Sequence, residues 1–430
     1  MTQTQTVTPA VATTESCGCP DFALSRRRLL GGLTGAAGAG LMTSVLGDVY
    51  RQVAFGAEGD RNVLVVLSLR GGADGLSMVV PHGEPALAAA RPRISIPTNA
   101  LLASDDMFGL HPGFEPLLPM WRAGTFGAVH AVGLPQPNRS HFTAMEEVED
   151  ADPGAPERRG WINRLVGLEA GTAPVQAVEL GSPMLPTSMY GPEPVLGLKS
   201  LKDLALAGDD PLTRSRRRSA LHKAWDTAPG ALGQGVRSAL STSESLEHLA
   251  SPRDPLNGAS YPVGDLGDSL AETARLIRAD VGARIVTIDY GSWDMHTQLG
   301  TLEWGSMQTM VTELAGGLKA FFQDLDALGS RVTVVTISEF GRRVAANGAG
   351  GLDHGYGNCM LLLGAGVNGG QVHGVWPGLA KEDLNDGDLR VTRDYRSVLA
   401  EVTRARFPEL DSTKIFPDFT MERIGAMRGF

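Results

Sequence analysis

Apolar runs separated by polar, glycine-rich breaks divide the chain into two kinds of segment. "NVLVVLSL" (Asn62–Leu69) is a continuous β-branched run that ends in the turn sequence "RGGADG". Continuous rather than alternating hydrophobicity predicts a strand buried on both faces, as in a parallel sheet. "FGAVHAVG" (Phe126–Gly133) repeats the format and feeds "LPQPNRSHFTAMEEVED", where Pro and Asn give way to a helical segment with Ser140 near its start. "PVQAVELG" (Pro174–Gly181) reads as a third strand. Later, "LAETARLIRADVG" (Leu270–Gly282) has helical periodicity and leads into the strand "ARIVTIDYG". A helical stretch "MQTMVTELAGGLKAFFQDLDALG" and the runs "RVTVVTISEFG" and "NCMLLLGAGVNGG" follow. Strand–helix alternation of this kind predicts an α/β fold: a doubly wound, mostly parallel sheet flanked by helices. From about Met184 to Gly264 the pattern breaks into short helical patches among Pro, Gly, Ser and charges. An insertion or cap over the sheet is expected at 184–264.

The first 57 residues read differently. "SRRRLL" (Ser25–Leu30) precedes the weakly apolar, Gly/Ala-rich "GGLTGAAGAGLMTSVLG". A basic stretch followed by a modest apolar one predicts a secretory signal, and the paired arginines predict the twin-arginine (Tat) route. Cleavage is expected near Gly56 or Ala57, so 1–57 is the signal and 58–430 the α/β domain. The apolar stretch is short and Gly-rich for a bilayer span, so no stable membrane anchor is expected after cleavage. The Tat translocase is the expected partner during export, to the periplasm or outside the cell. Cys17 and Cys19 would leave with the signal, and Cys359 alone cannot form an intramolecular disulfide.

Composition narrows the partners. The formal net charge is −10, and removing residues 1–57 (four arginines, three acids) leaves −11. No basic patch interleaved with aromatics appears, so nucleic acid is not expected. The one basic run, "RSRRR" at Arg214–Arg218, reads as a solvated helix face or loop. There is no C-x-x-C-H, and the one remaining cysteine cannot hold a cluster, so no haem or iron–sulfur motif is visible.

Ligands of parallel α/β sheets bind beyond the carboxyl ends of the strands. Five such places are chemically loaded: Arg70–Asp74, Asn138–His141, Asp289–His296, Ser338–Arg342 and Asp353–His354. In "DYGSWDMHTQ" (Asp289–Gln298), Asp294 and His296 lie two apart, which in extended chain puts both side chains on one side. Each piece has a plainer reading. Ser140 can be a helix cap, Glu339 can pair with Arg342 or Arg343, the glycines can simply turn, and Asp294 with His296 can be a surface pair. Their joint occurrence at strand ends favours a site. Carboxylates with imidazoles suit Zn or Mn, and a carboxylate-heavier subset suits Mg or Ca. His82, His111, His130, His222, His248 and His373 are expected to be structural.

"LSLRGGADGL", "PNRSHFTAMEEVE", "GWINRL", "DYGSWDMHTQ", "SEFGRRVAANGAGGLDHGYG", "GGQVHGVWPGL" and "VTRDYRSVLAEV" resemble, in order from about Asn62 to Arg423, the signature segments of the bacterial "domain of unknown function 1501" family. Those proteins are exported, commonly Tat-dependent, and similar to the alkaline phosphatase/sulfatase superfamily. The resemblance implies an alkaline phosphatase-like fold with a divalent metal (Zn, Mn, Ca or Mg). It implies metal ligands at Asp74, Asp294, His296, Glu339 and His354, and a nucleophile at Ser140. His141, Asp289 and Asp353 would support the ligands, and Arg70, Arg139 or Arg342 would clamp an anionic ester substrate. Two features depart from the superfamily pattern. Asp294 and His296 are two apart where four is usual, and Ser338–Glu339 stands where an Asp–His pair is usual. The expected function is an exported metal-dependent hydrolase or transferase of phosphate or sulfate esters. The alternative is a non-catalytic binding or assembly protein that keeps the fold.

Overall fold

Val63–Leu69 forms strand β1, and all seven of its residues are buried because the two sides of the strand serve different cores. Val63, Val65, Leu67 and Leu69 pack into one apolar cluster, while Leu64 and Val66 pack into another on the opposite face. The computed structural model describes residues 61–155, 158–169, 174–205 and 213–429. The signal segment expected at 1–57 lies outside the described residues. Among those described, no helix is long and apolar enough to cross a membrane.

The other strands are β2 (Val79–Val80), β3 (Gly109–Leu110), β4 (Phe126–Gly133), β5 (Ala177–Leu180), β6 (Leu196–Leu198), β7 (Ile285–Tyr290), β8 (Val332–Ile337), β9 (Asn358–Gly364), β10 (Val372–His373) and β11 (Arg393–Asp394). β2 and β3 form a small antiparallel ribbon of their own. The rest make one nine-stranded sheet in the order β10-β4-β9-β8-β1-β7-β5-β6, with β11 also on β4. Every pairing is parallel except those of β9, which runs antiparallel to both β4 and β8.

Helices cover both faces. Asp265–Arg278 and Ser306–Leu325 bury Leu266, Leu270, Val311 and Leu314 in the first core. His141–Asp150, Trp161–Leu168 and Tyr395–Arg406 bury Ala144, Val148, Ile162, Leu165, Val398 and Val402 in the second. This is the expected doubly wound, mostly parallel α/β arrangement. The stretch 184–264 begins by contributing β6, the edge strand beside β5. Its helices Arg214–Trp225 and Gly230–Ala250 follow, and Arg214 and Arg218 both pair with Glu247 across them.

The reversal of β9 decides where its entry loop lies. The first residue of the strand, Asn358, pairs with Val132 near the carboxyl end of β4. The loop entering β9 is therefore on the same rim as the carboxyl ends of β1, β4, β7 and β8. Asn358 also stitches that rim together. Its side chain accepts from the N–H groups of Gly75 (3.0 Å) and Cys359 (2.8 Å) and donates to the Phe340 carbonyl (2.8 Å). The thiol of Cys359 is buried and free.

One carboxyl group is fully buried inside the sheet itself. Glu179 of β5 sits beside Thr287 of β7 and accepts its hydroxyl hydrogen bond, with no exposed surface. Burial pushes its pKa up to about 9; the nearby negative charge of Asp289 adds to this, while the Thr287 bond and Arg70 oppose it. In the unfolded chain a glutamate ionises near its ordinary value, so the native protein retains a proton that the unfolded chain has lost. The stability of this site is full below the ordinary glutamate range and is lost as pH rises towards about 9. Glu179→Gln removes the titration. Its melting temperature is expected to fall less steeply than that of the wild type between about pH 5 and 9; parallel curves would contradict the assignment.

A candidate metal centre at the rim of the sheet

Beyond β7 the chain turns through Ser292 (φ 72°), after which alternate residues point in and out. Trp293 and Met295 are buried, while Asp294 and His296 project from the rim with 44% and 41% of their side chains exposed. The two-residue spacing thus puts carboxylate and imidazole on one side, 3.1 Å apart. The "RGGADG" turn after β1 supports this segment from beneath. Gly71 has φ +112°, and a Cβ there would stand 2.6 Å from the Asp294 backbone nitrogen, so both conformation and space demand glycine. Gly351, in the loop before β9, is equally constrained: a Cβ would fall 2.2 Å from the His296 carbonyl carbon.

Two further imidazoles reach the same point. His141 opens the helix after β4, and His354 lies in the loop before β9. One donor atom each from His141, Asp294 and His354 lie within 4.8 Å of one another, the one such grouping found among the described residues. His354 Nε2 is 3.3 Å from Asp294 Oδ1 and 3.0 Å from His296 Nε2. His141 Nε2 is buried without a hydrogen-bond partner, 3.5 Å from Asp294 Oδ2.

What faces each Nδ1 decides the protonation. In His141 it is Glu339 Oε1 (2.8 Å), in His296 it is Asp353 Oδ1 (3.0 Å), and in His354 it is the Arg139 carbonyl (2.8 Å). All three partners only accept, so each neutral ring carries its hydrogen on Nδ1 and presents an Nε2 lone pair. Three lone pairs and a carboxylate thus converge. Two of the Nε2 atoms face each other at 3.0 Å, a contact that either a proton between them or a metal ion would satisfy. Partial burial works to raise the Asp294 carboxyl, but the Arg342 guanidinium and then His296 and His141 outweigh it, and the net shift is downward. Burial lowers His354. Both shifts favour the metal-binding forms, and the donor set fits a divalent ion.

The structure brings together His141, Asp294, His296 and His354, and not the remaining candidates. Asp74 is only 2% exposed and held bidentately by Arg91, at 2.5 and 3.0 Å, so both of its oxygens are committed to that guanidinium. Glu339 accepts from the Gly71 N–H (2.9 Å), His141 Nδ1 and the Ser338 hydroxyl; it orients an imidazole where a ligand role was expected. His141, expected to support the ligands, is itself in the grouping. Asp353 Oδ1 faces His296 Nδ1, with Asn347 donating to the same oxygen. Asp289 pairs with Arg70 at 2.7 Å and touches none of the cluster.

The three clamp candidates all serve the protein's own groups. Arg70 bridges Asp289 and Glu149, and Arg139 pairs with Asp388 and Asp386. Arg342 is buried, holding Asp294 and four backbone carbonyls. Ser140 is exposed at the start of the His141–Asp150 helix; its hydroxyl makes no cap bond and lies 3.4 Å from Thr143 Oγ1. Of the histidines expected to be structural, His111 and His130 are buried, pushed down to about 4 by burial, and bonded to backbone groups. Sequence reading missed Arg91. It ends a short helix of small residues, and nothing in its spacing announces a partner 17 residues away.

The family model described as "Protein of unknown function (DUF1501)" matches residues 61–400, and the chain belongs to that family. No curated protein matches the chain significantly. Solved structures similar to it include the PsFucS1 sulfatase from Pseudoalteromonas sp., 12% identical, with a TM-score of 0.33 over 83% of this chain and 70% of that one. Another is alkaline phosphatase from the Antarctic bacterium TAB5, 9% identical, with a TM-score of 0.28 over 73% of this chain and 94% of that one. Scores this low carry none of those proteins' chemistry to this chain.

The Asp74–Arg91 pair gives a stability test. Arg91→Met leaves a buried carboxylate without its counter-charge and is expected to cost about 3–5 kcal/mol in chemical denaturation. A loss below about 1 kcal/mol would show that the pair is dispensable.

Proposed function

We propose that this DUF1501 protein is an exported, divalent-metal-dependent hydrolase or transferase of phosphate or sulfate esters. The convergence of three oriented imidazoles on Asp294 carries the reading. His141, Asp294 and His354, with His296 beside them, would hold the ion. A bound divalent cation would supply Lewis acidity, easing ionisation of a hydroxyl and neutralising ester oxygens.

The chain's own groups supply the rest. Ser140 precedes the ligand His141 and is exposed, so its hydroxyl is open to substrate at the N-terminus of a ten-residue helix, the end that favours an anion. Ser140 Oγ would bond to phosphorus or sulfur as the bond to the departing alcohol breaks, and the hydroxyl's proton would leave with that alcohol. Water would then cleave the seryl ester and restore the hydroxyl. Glu339, Asp353 and the Arg139 carbonyl hold the rings in place throughout. Export by the Tat route rests on "SRRRLL" at Ser25–Leu30.

A second reading, a non-catalytic binding or assembly protein, has one observation in its favour: Arg70, Arg139 and Arg342 are all engaged by internal acceptors. Turnover separates the two. Ser140→Ala is expected to lower cleavage of an aryl phosphate or aryl sulfate on the order of a thousandfold. Since the hydroxyl makes no cap bond, stability should stay within about 0.5 kcal/mol. Full activity in the variant would reduce Ser140 to a helix start. An absence of turnover on either ester by metal-loaded wild type would favour the binding reading.

A further inference from the structure

We infer that the rim takes one zinc-class ion (Zn, Co or Ni) rather than two ions or a hard cation, and that the buried guanidinium of Arg342 serves as the fixed second positive charge. The inference rests on the metal-dependent reading above and deepens it.

Ligand chemistry comes first. The available donors are the Nε2 atoms of His141, His296 and His354 and the single carboxylate of Asp294. Magnesium and calcium take sets made of oxygen, whereas imidazole majorities suit zinc and its neighbours. The Nδ1 anchors strengthen the point. A ring whose hydrogen is already committed to an acceptor loses little by presenting its other nitrogen to a soft ion, and anchors of this kind accompany histidine ligands generally.

A second ion finds few ligands left. Asp74 is saturated by Arg91, which also donates to Ser77 Oγ and to the carbonyls of Val344 and Arg343. Glu339 is buried and its Oε1 takes the Gly71 N–H and His141 Nδ1, while Asp353 Oδ1 is shared by Asn347 and His296, so that Asp353 Oδ2 alone stays uncommitted there. In the place of another cation stands Arg342. Its Nη2 lies 2.6 Å from Asp294 Oδ1, the oxygen that also faces His296 and His354. Being held by the Gly71, Gly72, Trp293 and Leu352 carbonyls, this charge cannot leave the site.

Titration of chelator-stripped, full-length protein tests the inference without reference to activity. Cobalt should bind one equivalent and give the visible bands of a four- or five-coordinate site. One equivalent of zinc should abolish them, and millimolar magnesium or calcium should not. His354→Gln should weaken cobalt binding at least about tenfold, and Asp74→Asn should leave one equivalent bound. Two equivalents, displacement by magnesium or calcium, or no cobalt binding by the folded wild type would overturn the inference. One zinc equivalent with no ester turnover would sink the hydrolase proposal alone, and two equivalents with turnover would sink this one alone.

Discussion

A single buried guanidinium gathers the rim. Arg342, just beyond β8, donates to the carbonyls of Gly71 and Gly72 after β1, of Trp293 after β7 and of Leu352 before β9, and to the Asp294 carboxylate. A buried cation is tolerated only when its donors are satisfied, because desolvating such a group otherwise costs several kcal/mol. Three loops that would otherwise be independent are therefore fixed relative to one another by the needs of one side chain. Asp294 and His296 take their places because Arg342 holds the segment that carries them.

The same demand explains which acids remain available. Arginines near the rim consume the other carboxylates: Arg91 takes Asp74, Arg70 takes Glu149 and Asp289, and Arg139 takes Asp388 and Asp386. Asp294 is the exception, since its Oδ1 is shared between Arg342 and two imidazoles and its Oδ2 faces His141. Glu339 and Asp353 meet the Nδ1 atoms of His141 and His296, so Asp294 is the carboxylate that faces the three Nε2 atoms. That ratio determines what the site can bind.

Much of this was legible in the sequence, and the rest was not for definite reasons. Apolar runs revealed β1, β4, β7, β8 and β9 because burial on both faces leaves few polar positions. The alternation in "SWDMHT" placed Asp294 and His296 together because the apolar Trp293 and Met295 between and before them are drawn into the core. Strand direction, however, leaves no trace in such runs. The antiparallel course of β9, which delivers His354 to the rim, emerges only in three dimensions. Likewise the exchange of roles between Glu339 and His141 turns on which atom faces which, and the pairing of Asp74 with Arg91 depends on how a short helix folds back over the turn. Position along a strand indicates that a residue reaches the rim. It does not indicate what meets it there.

The central claim is that the rings of His141 and His354 and the carboxylate of Asp294 hold a metal ion. Anomalous diffraction from crystals of zinc-loaded protein, recorded on both sides of the zinc absorption edge, would test it most directly. One peak is expected, about 2.0–2.1 Å from Nε2 of both His141 and His354 and within bonding reach of Asp294. A featureless map at the rim, with the three side chains ordered as described, would contradict the claim.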